Sequence, residues 1–167
     1  MWNSFNTGDY SGMIAETKKI KGYNGDEITI YHSRPLADGT YPNSLLIPHM
    51  PGWDEWCRET ARRFTEHGYN VVCPDIYARY GTGTPVEVSG RMRDDGGVSD
   101  ESVMGDCKAS IDFLLDQMHG NNGKVGVIGM CSGGRHTFLA ACTLDNIDAA
   151  VDCWGGGVVM DEAELNE

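Results

Sequence analysis

The stretch Gly129-Met130-Cys131-Ser132-Gly133-Gly134 has the clearest chemical content in the chain. An apolar run, KVGVIG (124–129), leads into it, and apolar residues at helical spacing follow it to about Leu144. A nucleophile on a sharp strand-to-helix turn sits in a strained backbone conformation. The residues two before and two after it must therefore be small, so that strand and helix can pass closely. Cys131 meets this condition through Gly129 and Gly133. Ser132 does not, because its neighbours at that spacing are Met130 and Gly134. Cys131 is thus the candidate nucleophile, and the chemistry such a turn supports is acyl transfer. A position ahead of a helix N-terminus favours the thiolate, since unpaired N–H groups and the helix dipole stabilise negative charge there. The Ser132 N–H is expected to face the developing oxyanion. A second donor is expected from the loop after SLLIPH (44–49), at the Met50 N–H.

A thiol nucleophile needs a proton acceptor. The one histidine after Cys131 is His136, five residues on in the same helix. That is about one turn down, roughly 5–6 Å along the axis and directed away from the turn. His49, at the end of SLLIPH, lies in the loop expected beside Cys131 and is the candidate base. The alternative is a loop histidine that shapes the oxyanion turn or contacts substrate. Asp54 and Glu55 read as the cap and first-turn acid of the following helix. His32 reads as structural in an alternating strand, as do His67 and His119 at helix ends. Trp53, Arg79, Tyr80 and Arg91 are candidates for substrate contact, weighed against packing aromatics and solvated surface arginines.

The elements that must hold these residues follow from periodicity. KKIKGYNGDEITIYHSRP (18–35) reads as a hairpin turning at Asn24-Gly25. SLLIPH reads as a strand, 54–68 as an amphipathic helix stopped by Gly68, and YNVVCPD (69–75) as a buried strand. Residues 76–98 are glycine-rich with little periodicity and read as a long loop near the site. A helix is expected over Asp100 to His119, strands over 124–129 and 149–155, and the elbow helix between them. Strands alternating with helices predict an α/β fold: a mostly parallel sheet with helices on both faces and ligands at the carboxyl ends of the strands.

Composition narrows the function classes. The 167 residues fit one domain, and 40% apolar with 23% charged residues is ordinary for a soluble protein. A net charge of −12 argues against nucleic acid or an anionic membrane surface as partner. No apolar run is long enough to span a bilayer, and no secretory signal is visible at the start. Six cysteines without CxxC or HExxH spacing predict reduced thiols in a cytoplasmic setting, with no metal and no cofactor. Thiol redox chemistry lacks a resolving cysteine near in sequence.

The motif GMCSGG resembles the elbow of the dienelactone hydrolase family of α/β-hydrolases, which has the form G-x-C-x-G-G. ETARRFTEHGYNVVCPDIYAR (59–79) and NGKVGVIGMCSGG (122–134) extend the resemblance, which runs from about Glu27 to about Gly156. It implies an α/β-hydrolase fold, hydrolysis of small lactones or esters, and a cysteine–histidine–aspartate triad without metal. On this chain it maps the nucleophile to Cys131 and the oxyanion donors to Ser132 and Met50. His49 stands where family members that act on carboxylated lactones carry a glutamate.

The family's triad aspartate and histidine lie downstream of the strand after the elbow helix. The chain is therefore expected to be one incomplete domain, about the first two-thirds of the fold, with the C-terminal strands missing. The acid and base would come from a second polypeptide or a lost C-terminal segment, with a homo-oligomer as a further way to complete the sheet. The competing class is a non-catalytic binding or partner subunit that keeps the pocket.

Overall fold

The amino-terminal hairpin turns where Asn24-Gly25 permits it. Both residues adopt left-handed backbone (φ 53° and 78°) within a 3-10 turn at Tyr23–Gly25. The structure is a computed structural model and describes residues 12–117 and 121–159. His119, the first eleven residues and the tail from Met160 lie outside the described residues. The hairpin strands are β1 (Met13–Lys21) and β2 (Glu27–Pro35), paired antiparallel from Met13↔Pro35 to Lys21↔Glu27.

Four parallel strands follow: β3 (Tyr41–Ile47), β4 (Asn70–Pro74), β5 (Asn121–Met130) and β6 (Ala149–Cys153). The sheet order is β1-β2-β4-β3-β5-β6, and β2 runs antiparallel to β4. The helices are α1 (Glu55–Glu66), α2 (Pro85–Asp94), α3 (Asp100–Leu115) and α4 (Ser132–Thr143).

Strand alternation divides the core into two layers. Leu45, Ile47 and Val72 point to one face and meet Val103, Cys107, Ile111 and Leu114 of α3. Leu46, Val71 and Cys73 point to the other and meet Cys57 and Ala61 of α1. Each buried aliphatic side chain of this kind contributes about 1.5–3 kcal/mol. The expected α/β sheet covered on both faces is the observed one.

The segment 76–98 corrects the expectation of a long loop. A 3-10 turn at Ala78–Tyr80 and helix α2 occupy most of it. Thr84 caps α2: its Oγ1 accepts the Glu87 N–H at 3.3 Å, and Glu87 Oε2 accepts the Thr84 N–H at 2.8 Å. Pro85 then opens the helix with a preset φ. Thr-Pro-x-Glu is a legible start signal, and the glycines around it obscured it.

Below the sheet, at the amino ends of the parallel strands, a relay of buried polar side chains crosses four strands. His32 Nε2 meets Asn70 Oδ1, Asn70 Nδ2 donates to Asn43 Oδ1, and Asn43 Nδ2 donates to Asn121 Oδ1, each at 2.8 Å. Asn121 also donates to the Leu114 and Leu115 carbonyls that end α3. Each asparagine amide is bonded to the next group, which offsets the cost of burying it, while His32 Nδ1 is buried without a hydrogen bond among the described residues.

At the far edge, β6 has an apolar sequence but is exposed, with Val151 at 51% and Trp154 at 77%. Phe138 of α4 is exposed beside it in the sequence-adjacent layer, at 46%.

Candidate active site

The elbow is built by steric necessity. Cys131 joins β5 to α4 at φ 55°, ψ −123°, a backbone region that side-chain-bearing residues rarely adopt. A Cβ at Gly129 would strike the Gly133 carbonyl group. A Cβ at Gly133 would lie 2.5 Å from the Ile47 carbonyl oxygen and 2.7 Å from that of Pro48. Only glycine fits at either place, as the sequence pattern required. The Cys131 N–H donates to the Cys153 carbonyl at 3.0 Å, which anchors the turn to the end of β6, and the thiol itself is exposed.

Two donors stand unused beside it. The Ser132 N–H heads α4 and the Met50 N–H lies in the turn after β3, and neither makes a hydrogen bond among the described residues. Ser132 Oγ is buried without a partner among the described residues. The Tyr77 phenol sits close to Cys131 and Ser132. Burial pushes it up to about 12, so it remains a neutral hydroxyl.

The β3–β5 pairing ends at Ile47↔Gly129, and His49 lies two residues further on, in the loop whose Pro48 carbonyl packs against Gly133 of the elbow. The ring is fixed on three sides. Its Nε2 lies 3.0 Å from Asp54 Oδ2, its face meets Trp56 at 4.8 Å between centroids, and its backbone carbonyl accepts the Gly52 N–H at 2.8 Å.

Asp54 caps α1 as expected, accepting the Cys57 N–H on Oδ1 at 3.0 Å. Sequence reasoning missed that its second oxygen holds His49. The signal was present in the tight His-Met-Pro-Gly-Trp-Asp turn, which Gly52 closes at φ 90°. Burial alone would raise the Asp54 carboxyl, but the Cys57 N–H and His49 outweigh it and hold it below the usual range. His49, Asp54 and Cys57 place donor atoms within 4.8 Å of one another, the geometry a metal ion would need. The His49–Asp54 bond and a Cys57 thiol bond to the Gly52 carbonyl already engage them.

The candidates for substrate contact each have partners within the protein. The Arg79 guanidinium makes two bonds to the fully buried Asp106, at 2.7 and 3.0 Å, and a third to Asp26 at 2.8 Å. Asp106 also accepts the Tyr23 N–H at 2.9 Å. A carboxylate buried at that place needs a cation, and Arg79 supplies it. Arg91 donates to the Tyr80 and Thr82 carbonyls at 2.7 and 2.8 Å, and the Tyr80 hydroxyl donates to the Gly97 carbonyl at 3.0 Å. These two residues hold the 80–97 segment together.

Trp53 donates to the Cys73 carbonyl at 3.1 Å, lies under Arg58, and lines a cavity of about 430 Å³ with Thr29, Asp75, Tyr77 and Val88. Cys131 is not among the residues lining this cavity, and Tyr77 borders both regions. His136 is buried, with Nε2 3.4 Å from Asp100, whose carboxylate is also gripped by Arg135 at 2.6 and 2.8 Å. As expected, it serves α4 and α3 rather than the thiol.

Comparisons with known proteins show what the chain is similar to. The model of the dienelactone hydrolase family matches residues 28–167. A carboxymethylenebutenolidase of Pseudomonas putida is 32% identical over 152 residues, 87% of this chain and 63% of its own length. A relative from Methylorubrum extorquens is 30% identical over 159 residues, 94% of this chain and 54% of its own length. A solved Klebsiella pneumoniae structure, named "Putative Dienelactone Hydrolase", superposes with a TM-score of 0.75 at 28% identity, covering 86% of this chain and 60% of that one. The chain thus spans between half and two thirds of the length of these proteins. It belongs to the dienelactone hydrolase family.

Proposed function

We propose that the protein hydrolyses small lactones or esters through Cys131. The observation that carries this reading is the exposed thiol at positive φ, between two glycines that no larger residue can replace. In the reaction the thiolate attacks the carbonyl carbon, and the oxyanion is received by the Ser132 and Met50 N–H groups. The alkoxide then leaves with a proton. Water cleaves the resulting thioester, releasing the acid and restoring the thiol. The name of the Pseudomonas putida relative, a butenolidase, supports the same class of bond. The six free cysteines support a reducing, cytoplasmic setting.

The groups that activate water and orient its base lie, in this reading, on further strands continuing the sheet past β6. A second polypeptide, another copy or a further segment would carry them. The exposed apolar edge at Val151 and Trp154 supports this, because an open edge of that kind calls for a pairing strand. So does the greater length of the relatives. A non-catalytic partner subunit is the second reading: His136, in the elbow helix, is buried and held by Asp100.

Assays with a butenolide and a p-nitrophenyl ester, on the protein with whatever co-purifies in native mass spectrometry, separate the two readings. Turnover that C131A abolishes supports the hydrolase. Binding without turnover, unchanged in C131A, supports the partner subunit.

A further inference from the structure

Nothing in the reading above assigns the Asp54–His49 contact a chemical role. We propose that Asp54 is a positioning residue that fixes His49 as the proton acceptor of the Cys131 thiol, so that an imidazole–carboxylate pair serves the nucleophile from the loop after β3. The inference deepens the proposed function and rests on Cys131 being the nucleophile.

Three observations carry it. First, His49 follows β3 in the loop whose Pro48 carbonyl packs against Gly133 within the elbow itself. Second, the carboxylate determines the tautomer. An ionised Asp54 can only accept, so Nε2 carries the hydrogen and Nδ1 presents its lone pair. Nδ1 has no hydrogen-bond partner among the described residues, and the ring is half-buried rather than sealed. Third, the pair is held rigidly: Trp56 covers one ring face, and Asp54 is itself pinned by the Cys57 N–H. The titratable groups beside the imidazole are Asp54 and Cys57 at the start of α1; Tyr77 after β4 lies near the thiol, and Arg93 on α2 acts on the Tyr77 phenol.

The proton balance is simple. The Cys131 S–H bond breaks, its proton passes to His49 Nδ1, and the electron pair stays on sulfur to attack the carbonyl. The imidazolium, stabilised by Asp54, returns that proton to the departing alkoxide.

The capping geometry supplies a selective test. In D54N, the retained bond from the Cys57 N–H occupies the amide oxygen and turns the NH2 group toward His49. Nε2 must then accept, the hydrogen moves to Nδ1, and the free acceptor on the ring is lost. Asparagine caps helices as well as aspartate does, so α1 stays capped. D54S keeps the cap and leaves the ring without a partner.

The experiment follows the iodoacetamide alkylation rate of Cys131 by peptide mass spectrometry from about pH 5 to 10, in the full chain with any co-purifying partner. Ester turnover is measured in parallel. H49Q and D54N are expected to slow alkylation near neutral pH by roughly tenfold and to move the rate profile to higher pH, with D54S between them and the wild type. Unchanged profiles in H49Q and D54N overturn the proposal while leaving a fast Cys131 as nucleophile. A profile moved by H49Q but not by D54N overturns the role of Asp54. Cys131 reacting no faster than the exposed Cys142 in the wild type defeats the nucleophile reading and this one with it.

Discussion

The two ends of the parallel strands are built on opposite principles. At the amino ends, His32, Asn70, Asn43 and Asn121 pass hydrogen bonds from strand to strand, and of their side-chain groups His32 Nδ1 is the one left without a hydrogen bond among the described residues. At the carboxyl ends, Cys131 is strained, two backbone donors are unused and Ser132 Oγ has no partner among the described residues. The first arrangement spends polar residues on register and stability. The second leaves bonding capacity free for a transition state, which is where catalytic groups must keep it. What differs is satisfaction, since both ends are rich in polar atoms.

The comparison can be broken at either end. The largest effect is expected from G133A, whose methyl group would be driven into the Ile47 and Pro48 carbonyl oxygens. Urea unfolding should show a loss of about 3 kcal/mol. At the other end, N43A removes the centre of the relay and strands Asn70 and Asn121. A loss of about 2 kcal/mol is expected, with no change in the alkylation rate of Cys131. If N43A altered that rate, the two ends would not be independent.

C131G should raise stability by about 1 kcal/mol while abolishing turnover, because glycine adopts positive φ without strain. An unchanged melting temperature would show that the elbow stores no strain. The smallest effect is in pH dependence. Burial pushes His32 and His136 below the ordinary imidazole value. The unfolded chain therefore takes up protons first, and stability present above about pH 6.5 falls as pH drops through and below that value. H32Q, whose amide can still donate to Asn70, should flatten this decline in urea midpoints measured across that range.

Much of the fold was legible because the pattern was redundant. Leu45-Leu46 and Val71-Val72 mark buried strands, Gly68 stops a helix, and Asn24-Gly25 turns a hairpin. The elbow was legible for the same reason: spacing to Gly129 and Gly133 singles out Cys131 over Ser132 as the residue of the strained turn, and Cys131 is the one at φ 55°. Helix α2 was hidden by the glycines around it, even though Thr84-Pro85 and Glu87 announce its start. The rest of the site depends on where long side chains end up. Nothing local in the sequence says that Arg79 reaches Asp106, twenty-seven residues away, or that one aspartate both caps α1 and grips His49. Arginine, histidine and aspartate are ambiguous because their partners are set by tertiary packing, while glycine and apolar periodicity report on the backbone directly.

The buried carboxylate of Asp106 also bears on the order of assembly. Its partners are the hairpin turn at Tyr23, eighty-three residues away, and the turn after β4 at Arg79. Until all three segments have docked, the charge is left in a closing interior without compensation. A contact of such long sequence separation has a large loop-closure cost, and it is expected to form after the folding transition state. Interactions made at that stage slow unfolding and leave the folding rate almost unchanged. The cluster that engages Arg79 is thus expected to act as a latch, setting how long the native chain persists once formed.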